Sequence, residues 1–291
     1  MCFERLLSYV NRQIDKINKE ASEISRLKWM KVAKNPPIYR DAFRLIHQMA
    51  IKLNDKQFGF NEDRTEMTRG IISIYWGDES NLPIDRLKAS VKKFHPELPH
   101  EIIKVDAPSG DPSSLNQKAA MLDLSPFDET LFLDLDTVVL GRLDFGFDKA
   151  AIFGMAIAIC EAPWGRRYPK IFTGDEVEYN TGVIFFTKKA KPVFDKWKEL
   201  AATIDSSIIA IGDSGVYTMP ANDQGSFALA IEQTGFNPFV LPLNWNFRPM
   251  WHRSFFGPIK IWHDYGDPPP FFEELNTYYL NNESVIQYHQ G

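Results

Sequence analysis

The first fifty-odd residues place their apolar side chains at helical intervals. Leu7, Val10, Ile14, Ile17, Ala21 and Ile24 recur three and four apart, one stripe along a helix. Asn35, Pro36 and Pro37 break that helix, and Ala42, Phe43, Ile46, Met49, Ala50 and Leu53 mark a second. The polar stretch NDKQFGFNEDRTEMTRG (54–70) closes the segment, and then the period changes. IISIYW (71–76) is a continuous apolar run, NLPIDRLKASVKKF (81–94) carries a first-turn proline followed by helical spacing, and EIIKVDAP (101–108) is extended again. Helical SLNQKAAMLDL (114–124) leads into TLFLDLDTVVL (130–140), which reads as one buried strand with two aspartates near its end. AIFGMAIAI (151–159), TGVIFF (181–186) and PIKIWH (258–263) are further strands; PVFDKWKELAATI (192–204) and QGSFALAIEQ (224–233) are helices. The order predicts an α/β domain over 69–291, a mostly parallel mixed sheet flanked by helices, with a helical N-terminal extension over 1–68.

Composition excludes several classes. A chain 44% hydrophobic and 24% charged builds a core rather than a disordered tail. Cys2 and Cys160 are far apart, and Cys160 follows an apolar run, so a buried thiol is expected rather than a disulfide or zinc site. The opening MCFERLLSYV is interrupted by charge, and no later run approaches the ~18 apolar residues of a membrane span, so a cytoplasmic protein, or a luminal one whose anchor was cut away, is expected. Net charge is −5, yet residues 1–54 hold 11 Lys and Arg against 5 Asp and Glu, which leaves −11 on the remainder. An acidic body argues against nucleic acid as a partner. The basic helices in 1–54 suit a dimer contact or an anionic lipid surface.

Residues two apart on a strand face one side, so Asp134 and Asp136 are expected to project together from the C-terminal end of a central strand, where open α/β sheets bind ligands. Such a pair either dangles in water or holds a cation. DLDTV (134–138) matches the first motif of haloacid-dehalogenase-like phosphatases, in which the first Asp would be nucleophile and the second general acid beside Mg²⁺. That class would want a later G-D-x-x-x-D, and GDSGVY (212–217) ends in Tyr217 instead.

A second series of motifs runs in order along the chain. Lys118 precedes the DLD strand; EYNTGVIFF supplies Asn180 and Gly182; NDQGSFALAI supplies Asp223 and Gln224; LPLNWNF supplies Asn246; WHDYGDPPPF supplies His263, Gly266 and Pro270. Together they resemble the glycogenin-like and bacterial galactosyl- and glucosyltransferase group of GT-A glycosyltransferases. That resemblance implies a D-x-D holding a divalent cation on a nucleotide-sugar diphosphate. Its H-x-x-G-x-x-K-P-W signature lysine is Pro269 here and its Trp is Phe271, so Arg248, His252 or Lys260 would have to bind the leaving diphosphate.

The roles implied are these. Asp134, Asp136 and His263 hold Mn²⁺ or Mg²⁺, the imidazole favouring Mn²⁺. One of Tyr75 and Trp76, at the end of the first strand, is expected to stack on the base, the other packing in the core, and Asp106, at the end of the second, to accept the uracil N–H of a UDP-sugar. Asn180 and Asp223 bind donor-sugar hydroxyls, Lys118 and Gly182 lie at the donor, and Gly266 lies by the diphosphate. Gln224 lies at the anomeric carbon of a retaining hexosyl transfer; an inverting course would make Asp223 the general base. The aromatic run with Trp245, Phe247, Trp251, Phe255 and Phe256 either lines an acceptor groove or packs in the core. A non-catalytic sugar-nucleotide or glycan-binding protein is the remaining alternative.

Overall fold

Side-chain alternation sorts the central strands between two cores. Strand β1 (Arg69–Tyr75) sends Ile71 and Tyr75 to one face and Ile72 and Ile74 to the other. β3 (Glu129–Leu133) divides Leu131 and Leu133 from Phe132, and β6 (Tyr179–Thr187) divides Val183 and Phe185 from Ile184 and Phe186. Both faces are covered, so apolar residues are needed at every position and the strands read as unbroken apolar runs. The computed structural model describes residues 68–107, 112–160, 177–201, 208–212, 215–219, 223–252, 254–282 and 287–289. The helical extension expected over 1–68, its dimer or membrane contact, and Cys2 lie outside the described residues, Thr68 excepted.

Helix α1 (Ile84–Phe94) covers the first face through Leu87 and Val91. After β2 (His100–Lys104), a 3₁₀ segment (Pro112–Ala120) runs into the short α2 (Met121–Leu124). Helix α3 (Asp144–Phe153) joins α1 on the first face through Phe147 and Ala150. The other face is covered by Val193, Phe194 and Trp197 of α4 (Lys191–Ala201) and by Phe227, Ala230 and Ile231 of α5 (Asp223–Thr234). With β5 (Met155–Ile159) and β9 (Phe239–Leu241), the strand order is β2-β1-β3-β6-β5-β9. All run in one direction except β6, which is antiparallel to both its neighbours. This is the mostly parallel, helix-flanked mixed sheet expected from the sequence.

The reversed strand positions the site. Because β6 starts where β3 ends, Leu133 pairs with Val183, and the Asp134 N–H donates to the Gly182 carbonyl at 2.8 Å. A second small sheet abuts this edge: β4 (Thr137–Val139) pairs antiparallel with β11 (Ile261–His263), Thr137 opposite His263. Val138, Phe247, Phe255, Ile259, Trp262 and Phe272 form a third core beneath that ribbon. The hairpin β7 (Ile208–Gly212)/β8 (Gly215–Met219) and the pair β10 (Ser254–Phe256)/β12 (Gln287–His289) stand apart from the central sheet, and α6 (Phe271–Asn282) follows the ribbon. Among the described residues no helix is long and apolar enough to cross a membrane.

Two expectations about elements need correction. The stretch 130–140 is not one strand: β3 stops at Leu133, and the Thr137 N–H and Oγ1 both donate to the Asp134 carbonyl, at 3.2 and 2.7 Å, closing a turn before β4. In 151–159 the helix α3 runs on to Phe153. Gly154, at φ +85°, ends it in a left-handed conformation that glycine adopts without strain, and only then does β5 begin.

Candidate active site

Five separate segments bring residues to the C-terminal end of β3. Asp134 and Asp136 come from the β3–β4 turn, His263 from the end of β11, Lys118 from the 3₁₀ segment, Asp223 from the start of α5, and Gly182 from β6. A ligand atom from each of Asp134, Asp136 and His263 lies within 4.8 Å of the other two. The His263 Nε2 is 3.2 Å from Asp136 Oδ1 and 3.8 Å from Asp134 Oδ2. Neither carboxylate dangles in water, their side chains being 20% and 16% exposed.

Asn246 sets the imidazole. Its Oδ1 lies 2.7 Å from His263 Nδ1, and an amide oxygen can only accept, so the Nδ1 hydrogen points to Asn246. Nε2 is then the ring nitrogen directed at two carboxylates. Three acceptors facing one another require a proton or a cation between them, and N,O,O is a donor set for a divalent first-row ion. Gly182 leaves the space: a Cβ there would sit 2.3 Å from His263 Cε1 and 2.7 Å from Asp134 Oδ2.

Lys118 supplies the local positive charge. Its Nζ is 2.7 Å from Asp134 Oδ2 and 3.5 Å from Asp223 Oδ2. Burial works against the ammonium, but the charges of Asp134 and Asp223 outweigh it and hold its pKa well above the ordinary lysine value. Burial pushes the Asp134 carboxyl up, with Asp136 adding to the rise and Lys118 and His263 opposing it. Asp136, despite the opposing pull of burial, is held at about 2 by its hydrogen bond to His263 and by the charges of His263, Lys118 and Arg248. Asp223 is further fixed by the Thr181 hydroxyl, which donates to Oδ2 at 2.6 Å. Gln224, next on α5, donates from Nε2 to the Cys160 sulfur at 3.4 Å, and the Asn180 Oδ1 accepts the Gly182 N–H at 3.0 Å.

Other sequence-nominated residues fall outside this contact network. Tyr75 packs in the first core and its hydroxyl donates to Glu79 at 2.5 Å; Trp76 is half-buried beside it, and Asp106 is exposed beyond β2. Gly266 accepts from the Trp262 indole at 2.9 Å and donates to Asp264 Oδ2 at 2.9 Å. Of the replacements for the missing signature lysine, Lys260 lies over the Trp245 ring and against Gly141, whereas Arg248 is close enough for its charge to act on Asp136. His252 is buried and accepts the Arg248 N–H at Nδ1, 3.1 Å away. Trp245, Phe247 and Phe255 are core residues; Trp251 is 45% exposed. A second acidic cluster, His95, Glu97 and Asp144, is already filled: Arg142 lies 2.8 Å from both carboxylates, and His95 Nε2 accepts the Leu143 N–H. The phosphatase-like 212–217 falls in the separate β7/β8 hairpin, not at the end of a central strand.

Neither Thr181, within EYNTGVIFF, as a partner of Asp223 nor Cys160 as a partner of Gln224 is marked in the sequence. No local pattern marks either contact, since each partner comes from a distant segment.

No family model matches the chain, and no curated protein matches it in sequence. Among solved structures, mouse xyloside xylosyltransferase 1 in its apo form is similar at 17% identity and a TM-score of 0.46, covering 70% of this chain and 100% of that one. Galactosyltransferase LgtC, in complex with donor and acceptor sugar analogs, is similar at 14% identity and a TM-score of 0.46, covering 72% of this chain and 95% of that one. The apo-form glycosyltransferase GlyE of Streptococcus pneumoniae TIGR4 is similar at 13% identity and a TM-score of 0.44, covering 76% of this chain and 65% of that one.

Proposed function

We propose that the protein transfers a sugar from a UDP-linked nucleotide-sugar donor to an acceptor hydroxyl, with Asp134, Asp136 and His263 seating a divalent cation. The observation that carries this is the meeting of those three acceptors with Lys118 and Asp223 at one edge of the sheet. Mn²⁺ or Mg²⁺ bound there would supply positive charge opposite a diphosphate that the acidic domain would otherwise repel. The imidazole nitrogen favours Mn²⁺.

The chain's own groups then divide the work. Lys118 stays charged and fixes the facing oxygens of Asp134 and Asp223. With Asp223 Oδ2 engaged by Thr181 and Lys118, Oδ1 is the oxygen turned to a sugar hydroxyl, and Asn180 offers its amide nitrogen to another. Gln224 lies beside the anomeric carbon in a transfer with retention, oriented by Cys160. Arg248 faces the departing diphosphate in place of the absent signature lysine. With Tyr75 packed in the core, Trp76 and Asp106, just beyond β1 and β2, form the base subsite, and Gly266 lies by the phosphates. Catalysis consists mainly of holding the acceptor against the anomeric carbon and stabilising the leaving charge.

Calorimetric titration of UDP-sugars with and without Mn²⁺ tests this directly. Binding should require Mn²⁺ and disappear in Asp136→Ala; a variant with unchanged affinity refutes the cation seat. The anomeric configuration of the product, read by NMR, decides retention, since an inverting product would make Asp223 the base.

A further inference from the structure

The structure assigns Arg86 as the positioning residue that sets His263 against Asp136, from a helix that carries none of the site's own groups. This assignment rests on the cation seat proposed above. Arg86 lies on the first turn of α1, and its guanidinium forks onto the chain immediately after His263. Nη2 donates to the Asp264 carbonyl at 2.8 Å, and Nη1 donates to the Tyr265 carbonyl at 2.6 Å and to Asp267 Oδ1 at 3.3 Å. The residue gripped is the one that joins the two ligands: Asp264 follows His263 in sequence, and its N–H donates to the Asp136 carbonyl at 2.9 Å.

One helical turn along, Ser90 Oγ accepts the Val139 N–H at 3.0 Å, which ties α1 to the other strand of the ribbon. Residues four apart share a helix face, so Arg86 and Ser90 hold β11's exit and β4 from a single rigid edge. The Arg86 side chain is only 20% exposed, and its Nε is buried with no partner among the described residues. Burying a guanidinium with an unused donor is costly, so a solvated cation does not account for its place. Its contact with Asp267, 83% exposed, contributes little by comparison; the two carbonyl bonds fix the backbone.

Groups behind metal ligands typically set affinity by about 10- to 100-fold. Titration of Mn²⁺ alone into the full chain, followed by electron paramagnetic resonance, should show Arg86→Ala raising the dissociation constant about tenfold or more. Arg86→Lys should fail to restore it, because one ammonium cannot span two carbonyls in a fixed fork. Asp267→Ala should stay within about twofold of wild type. Where the alanine variant does not fold, Arg86→Gln carries the same comparison. Wild-type affinity in Arg86→Ala or Arg86→Gln overturns the assignment while leaving the seat intact. A wild-type protein that takes up no Mn²⁺ overturns the seat and the assignment with it.

Discussion

Gly182→Ala is the sharpest test of the site, because it adds one methyl group to a position whose only special property is the space it leaves. The new Cβ would lie 2.3 Å from His263 Cε1, 3.0 Å from His263 Nδ1 and 2.7 Å from Asp134 Oδ2. Ordinary carbon contacts are about 3.5–4.0 Å, so the ring must move by more than about 1 Å. It has no free direction: Nδ1 is held 2.7 Å from Asn246, Nε2 is 3.2 Å from Asp136, and the backbone N–H is bound to the Phe247 carbonyl. Overpacking of this kind costs about 1–3 kcal/mol, a fall of several degrees in Tm for a domain of this size. The larger effect should be on the cation, whose three donors can no longer converge; an affinity loss of about 10- to 100-fold is expected. Mn²⁺ titration and thermal melting on the same sample separate the two effects. If the alanine variant binds Mn²⁺ within about twofold of wild type, Asp134, His263 and Gly182 do not share one ligand site.

Three further perturbations read other parts of the structure. Lys118→Met leaves Asp134 and Asp223 without their buried cation and should cost about 3–5 kcal/mol in urea denaturation; a loss under about 1 kcal/mol would mean the ammonium does not balance them. Asn246→Ala removes the acceptor of the His263 Nδ1 hydrogen and should weaken Mn²⁺ binding at least tenfold, whereas Asn246→Asp, which keeps an acceptor, should retain most of it. Burial, with the charge of Lys88, lowers His100 from its ordinary 6.5 to about 4. The unfolded chain therefore takes a proton near 6.5 that the folded chain refuses until about 4, so up to about 3 kcal/mol of stability present above pH 6.5 is lost as pH falls through that window. His100→Gln should flatten this slope, and parallel pH profiles for the two proteins would exclude His100 as its source.

Elements that obey one period over many residues were legible in the sequence, among them β1, α1, β6, α4 and α5, because both cores recruit them at every turn or second residue. α3 was not, since its sequence DFGFDKAAIF presents Phe145 and Phe153 to solvent as well as Phe147 to the core, which blurs the helical stripe. β4 was hidden inside an apparent single strand, because only pairing with β11, more than a hundred residues later, distinguishes a break from a continuation. For the site, residue types at motif spacing nominated Lys118, Asp134, Asp136, Gly182, Asp223, Asn246 and His263, and the fold brings these together. The sequence offers no choice among Arg248, His252 and Lys260, which sit on one short segment; only their placement separates them, Arg248 acting on Asp136 by its charge and Lys260 lying over Trp245. Arg86 looked like any charged residue on an amphipathic helix; only its carbonyl partners reveal it.

Three carboxylates gather at one edge of the sheet, and that concentration of negative charge is what the proposed cation would offset. Among the described residues, the ionic contacts of Asp134, Asp136 and Asp223 are Lys118 and the His263 imidazole. Two carboxylates with oxygens within 4.8 Å repel by about 3 kcal/mol at an effective dielectric near 20. Proteins relieve such strain by letting one carboxylate swing into water. Here the Asp134 backbone is fixed to Gly182 and Thr137, and the Asp264 N–H fixes the backbone carbonyl of Asp136. A divalent cation would remove that repulsion with both carboxylates still ionised, whereas a proton would remove it by neutralising one of them. It also leaves the pocket close to neutral, so an arriving diphosphate would still lack a counter-charge on the protein side. Under the proposed function that charge falls to Arg248, which acts on Asp136, while Lys260 lies over the Trp245 ring.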